Sequence, residues 1–115
     1  MNGPVKLLMI FVDENDIFGD VPLYEAVVRV LHHRDIAGAT VLTGVMGFGS
    51  HMQVHRKRLF GIPDDRPVLI LAADSESKLR DAAAELRTMA QGKLMLLTDA
   101  EAIGHSPVTA AGGLE

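Results

Sequence analysis

The chain contains no cysteine, which excludes disulfides and thiolate metal sites. It has no tryptophan, and Tyr24 is its single tyrosine, so its core must be mostly aliphatic. Long hydrophobic runs are missing as well. The longest, Leu7 to Val12, falls far short of a membrane span, and no membrane insertion is expected. The start lacks the basic region, apolar stretch and small-residue cleavage site of a signal peptide, which makes a cytoplasmic protein the expectation. Positive charge is not in excess either. A formal net charge of −4 argues against nucleic-acid binding, which usually needs a basic face. A local basic patch can still hold a small anion.

The 115 residues are 48% apolar, enough for one domain spanning 1–115 with a real core. A domain of this size buries roughly two-thirds of the surface its unfolded chain exposes. "VKLLMIFV", from Val5 to Val12, is short and apolar at consecutive positions, as a strand buried on both faces would be. The acidic "DENDIFGD" follows. Pro22 then suits the first turn of a helix. Leu23, Ala26, Val27, Val30 and Leu31 form one apolar stripe, and His32, His33 and Arg34 suit the helix end. A second strand is predicted over Ala39–Met46 and a third over Pro67–Asp74. Asp74 or Ser75 can cap a second helix, whose stripe is Leu79, Ala82, Ala83, Leu86 and Ala90. Gly92 stops it, and Leu94–Leu97 is a short fourth strand. A mixed tail begins at Asp99, and from about residue 104 it reads as irregular.

This order, β-α-β-β-α-β, predicts an α+β ferredoxin-like fold: a four-stranded antiparallel sheet with two helices on one face. Two helices cannot also cover the second face, which the first and third strands want dry. Burial against copies of the same chain is the simplest solution, so a homo-oligomer with inward-facing sheets is expected.

The connection from Gly47 to Arg66 is the most informative candidate site, because long loops in compact domains are often functional. Gly44, Gly47 and Gly49 can adopt positive φ and approach a ligand closely, and exposed N–H groups there can form an anion nest. Arg56, Lys57 and Arg58 can supply countercharge. The competing structural reading is a bend with a solvated basic face. His51 and His55 are four apart, a metal-pair spacing on a helix, though solvated loop histidines are the plainer reading in a glycine-rich segment. Asp13, Glu14, Asp16 and Asp20 lack the pattern of a calcium loop; solvation and capping of the first helix suit them better. No nucleophile motif is present, and an enzyme is not expected. No cofactor is specified.

"PLYEAVVRVL", "IAGATVLTGVMGFG", "VHRKRLF" and "RPVLILAAD", in that order, resemble the uncharacterised PII-like family numbered 190 among domains of unknown function. The resemblance runs from Val5 to Ile103 and implies a ferredoxin-like fold and a trimer. More distantly, Gly38-Ala39-Thr40-Val41 and Gly47-Phe48-Gly49 resemble the strand end and loop base of the nitrogen-regulatory PII signal proteins. There these segments border a nucleotide site between subunits. The resemblance therefore implies a cleft walled by Thr40, Gly47, Phe48 and Gly49, with Gly92-Lys93 as a shortened phosphate loop. It departs after Gly49, where Ser50-His51-Met52 replaces Arg-Gln-Lys. It departs also at the modified loop tyrosine, since Tyr24 lies in the first helix.

The expected function is a PII-like regulatory module. It binds a small anion, a nucleotide included, at subunit clefts, and its loop over 47–66 changes order to meet a protein partner. The alternative is a metal-binding trimer of the divalent-cation-tolerance type using His51 and His55.

Overall fold

The computed structural model describes residues 1–49, 58–59, 62–63 and 66–104. In chain order the elements are β1 (Gly3–Asp13), β2 (Ile17–Phe18), β3 (Val21–Pro22), α1 (Leu23–His33), β4 (Gly38–Thr43), β5 (Arg58–Leu59), β6 (Ile62–Pro63), β7 (Pro67–Asp74), α2 (Glu76–Met89) and β8 (Leu94–Ala102). Strands β4, β7, β1 and β8 lie in that order in one antiparallel sheet. Two-residue pairs β2–β3 and β5–β6 stand apart from it. The fold is the ferredoxin-like α+β arrangement that the element order predicts.

Alternation along the central strands decides the layering, since successive side chains point to opposite faces. Leu8, Ile10 and Val12 of β1 and Val68, Ile70 and Ala72 of β7 are buried on one face. Leu23, Val27 and Leu31 of α1 and Leu79, Ala82 and Leu86 of α2 complete that aliphatic core. The helix stripes match expectation except that Val30 and Ala83 are only half-buried. Ser75 caps α2, its hydroxyl accepting the Lys78 N–H.

Among the described residues, no helix lies on the opposite face. Across it run Thr40–Leu71–Met9–Leu96 and Leu42–Leu69–Phe11–Leu94, one residue from each strand. Leu42, Leu94 and Leu96 are 47%, 53% and 42% exposed. The unbroken apolar run in β1 thus reflects two apolar faces, of which the described residues cover one.

Three boundaries differ from the sequence reading. β4 ends at Thr43, not Met46: Gly44 still donates its N–H to the Pro67 carbonyl, 2.7 Å away, but Pro67 has no N–H to return the bond. β8 runs on to Ala102, not Leu97. Its polar half, "TDAEA", reads as tail by composition, yet β1 starts at Gly3 and supplies it with backbone partners. Pro22 lies at the N-cap of α1 and pairs with Ile17, instead of opening the first turn. The cap has no side-chain hydrogen bond, so the acidic segment does not cap α1 as expected. The backbone carbonyl of Asp16 accepts the Leu23 N–H instead, at 2.8 Å.

Candidate functional site

Antiparallel pairing brings four chain segments to one end of the sheet. There β1 ends opposite the start of β7, with Asp13 against Pro67. β4 ends beside the same residue, and β8 begins with Leu94 against Phe11. Gly44, Gly47 and Lys93, far apart in sequence, therefore stand at one end.

The glycines earn their place by close approach. Neither Gly44 nor Gly47 has a positive φ, contrary to the sequence expectation. A Cβ on Gly44 would lie 2.8 Å from Cγ of Pro67, and one on Gly47 would lie 3.2 Å from the same atom. The strand end is thus pressed against the Pro67 ring, and the bend accounts for these two glycines without a ligand. Gly44→Ala should cost about 1–3 kcal/mol, as small-to-large changes at packed sites do. Gly47→Ala should cost less. Urea unfolding of both variants checks the order, and a neutral Gly44→Ala would mean that the Pro67 ring gives way freely.

Lys93 follows Gly92, which does take a positive φ of 80° between α2 and β8. The Lys93 ammonium lies 2.9 Å from Oδ2 of Asp16, with only 13% and 23% of the two side chains exposed. The same Oδ2 accepts the Asp13 N–H at 2.7 Å, while the Asp16 N–H donates to the Asp13 carbonyl at 3.1 Å. Asp16 is the site residue that the sequence reading missed. It sat among four carboxylates, and no local signal pairs it with a lysine across the sheet.

The other predicted residues are more dispersed. Thr40 is exposed in mid-strand on the open face, where it lines a shallow hollow of about 280 Å³ with Leu7, Gly38, Leu71 and Ala73. Phe48 is almost fully exposed just past β4, and Gly49 beside it is exposed as well. Arg58 begins β5. His51, His55, Arg56 and Lys57 lie outside the described residues, and the proposed metal pair with them. Among the described residues, no three His, Asp or Glu side chains gather as a metal site would require.

The strand order adds a constraint. β4 and β8 are the two edges, three strand spacings or about 14 Å apart. The glycine strand end and Lys93 share an end of the sheet but not an edge.

A family model for DUF190, described as an uncharacterised ACR, matches residues 5–102. A UPF0166 protein of Aquifex aeolicus is 31% identical over 98 residues, which are 85% of this chain and 92% of that protein. Among solved structures, the fold is similar to that of CPII from Thiomonas intermedia K12 bound to ADP, AMP and acetate. That likeness has a TM-score of 0.62 and 21% identity, and covers 91% of this chain and 93% of CPII. It is similar also to CutA1 from Pyrococcus horikoshii, with a TM-score of 0.53, 11% identity and 86% of each chain covered. At such identities both structures speak for the fold alone. No helix among the described residues is long and apolar enough to cross a membrane.

Proposed function

We propose, from the premise that this chain belongs to the DUF190 family, that it is a PII-like regulatory module rather than an enzyme. Copies associate through their open sheet faces, as a trimer, and a small anion binds in the clefts between them. The observation that carries this reading is the division of the candidate site between two edges. About 14 Å across the sheet separates the Gly44–Gly49 strand end from Lys93, too far for one small anion to touch both in one chain. A neighbouring copy can bring its β8 edge beside the first copy's β4 edge and close that gap. The apolar open face gives copies a reason to meet, since exposed apolar side chains gathered on one face favour association.

Arg56, Lys57 and Arg58 supply further positive charge in this reading, and the 47–66 connection meets a protein partner. Adenine nucleotides are the first ligands to try, because the similarly folded CPII is described as bound to ADP and AMP.

A thermal-shift series with adenine nucleotides, phosphate and small carboxylates, with and without magnesium, tests the proposal. A ligand at one hundred times its Kd should stabilise the native chain by about 2.7 kcal/mol. If no member of the series stabilises it by more than about 1 kcal/mol at saturation, the anion site is rejected.

A further inference from the structure

We infer that Asp16 is a built-in competitor for the charge of the ligand, a carboxylate that must leave Lys93 before an external anion can take its place. The inference rests on the anion reading above and adds its regulation.

Among the ion pairs of the described residues, Asp16–Lys93 is the one in which both side chains are less than a quarter exposed. Lys93 is only 13% exposed and Asp16 23%, whereas Arg29–Glu25, Arg34–Glu85 and Arg80–Glu76 are each at least 40% exposed on both sides. Partial burial strengthens the attraction by lowering the local dielectric. An incoming phosphate or carboxylate would meet an ammonium already neutralised, with a second negative charge 2.9 Å from the nitrogen it seeks. Two anions that close to one lysine repel each other, so the ligand binds well only once Asp16 has swung away. If Asp16 holds Lys93 for nine-tenths of the time, the apparent affinity for the anion is reduced about tenfold.

Asp16 also anchors something else. Its carboxylate accepts the Asp13 N–H, its N–H donates to the Asp13 carbonyl, and its carbonyl receives the Leu23 N–H. These bonds hold the turn that carries the β2–β3 pair. That hairpin displays Ile17, 72% exposed, and half-exposed Phe18. Anion binding at Lys93 is thereby coupled to the order of an apolar hairpin. By reciprocity, whatever pins the hairpin down weakens the anion.

The test uses the full chain, with ADP and inorganic phosphate as probes in calorimetric titrations. Asp16→Asn keeps an oxygen for the Asp13 N–H but removes the charge. It should bind the probe about tenfold more tightly than the unaltered chain. Asp20→Asn, which removes an exposed carboxylate from the same segment, should stay within about twofold, since exposed charges are well screened. Amide exchange over residues 17–23 should accelerate when the probe binds the unaltered chain. Equal affinity of Asp16→Asn and the unaltered chain would overturn the inference alone, as would an equal gain in Asp20→Asn. Failure of both probes to bind either chain would overturn the anion reading itself. Lys93→Gln guards against misfolding of the first variant: it should lose at least about tenfold in affinity, and retained affinity would remove Lys93 from the site.

Discussion

Leu71→Glu should leave the protein as single folded chains. Leu71 lies in the middle of the open face, between Thr40 on β4 and Met9 on β1, with Leu96 of β8 one strand further on. It is half-buried in the single chain and points away from the helix-covered core, so a carboxylate there can reach water and the fold should survive. In an assembly whose sheets face inward, the same carboxylate is sealed off with no partner. Burying an unpaired charge costs several kcal/mol per copy, and symmetry repeats the cost in every copy. Light scattering at micromolar concentration should give a multiple of the chain mass for the unaltered protein and one chain mass for Leu71→Glu, with the same circular dichroism. An unaltered protein that runs as one chain would reject the covered face, and an assembly that survives Leu71→Glu would place the contact elsewhere.

Asp74→Ala should cost about 1.5–3 kcal/mol at neutral pH, roughly the loss of hydrogen bonds from part-buried donors to a charged acceptor. Asp74 closes β7 and is one of two charged residues buried among the described residues, at 7% exposure. Its carboxylate accepts the Ser75 N–H at 2.6 Å and the Ala37 N–H at 2.9 Å, and the Lys78 ammonium lies 3.3 Å away. It thereby ties the start of α2 to the turn between α1 and β4. Lys78 reinforces the tie by donating to the carbonyl of Asp35, a non-glycine residue at φ 57°. Burial works against the charged carboxylate. The two N–H groups and Lys78 outweigh it, and the pKa is held below the usual carboxylate range.

The sign for stability follows from that direction. A carboxyl group whose folded pKa is depressed stabilises the native state fully above its unfolded pKa, about 3.9. That contribution disappears as pH falls from there through the lower folded pKa. The gap between the unaltered chain and Asp74→Ala in urea unfolding should therefore hold constant from pH 7 to about 5 and narrow below about 4. A gap that does not change with acid would mean that the charge of Asp74 carries none of the effect.

Much of the scaffold was legible because it depends on local periodicity. The stripe from Leu23 to Leu31 and that from Leu79 to Ala90 specify helices with one apolar side, and "PVLILAAD" specifies a strand. The β2–β3 pair was not legible. Two residues per strand are too few for any period, and the segment looks like solvated acid until Asp16 is seen bonded back to Asp13. The length of β8 was hidden for a related reason. An edge strand with a polar half shows no alternation, and only its pairing with Gly3–Phe11 of β1 reveals it.

The candidate site divides along the same line. Glycine spacing marked the strand end at Gly44–Gly49, and Gly92, which does take a positive φ, marked the turn before β8. What the glycines do there was settled by Pro67, whose ring approaches closely enough to exclude a Cβ at Gly44. The partner of Lys93 was likewise settled by the sheet, which brings Asp16 to it from the far end of the chain. The order of the two helices and four main strands, the helix-covered core and the surplus of apolar surface on β1 all follow from composition and period in the sequence. Which face stays open, which edges separate the glycines from Lys93 and which carboxylate already occupies that lysine depend on how the elements assemble. Each of these is a contact between segments distant in the chain, and no local pattern encodes it.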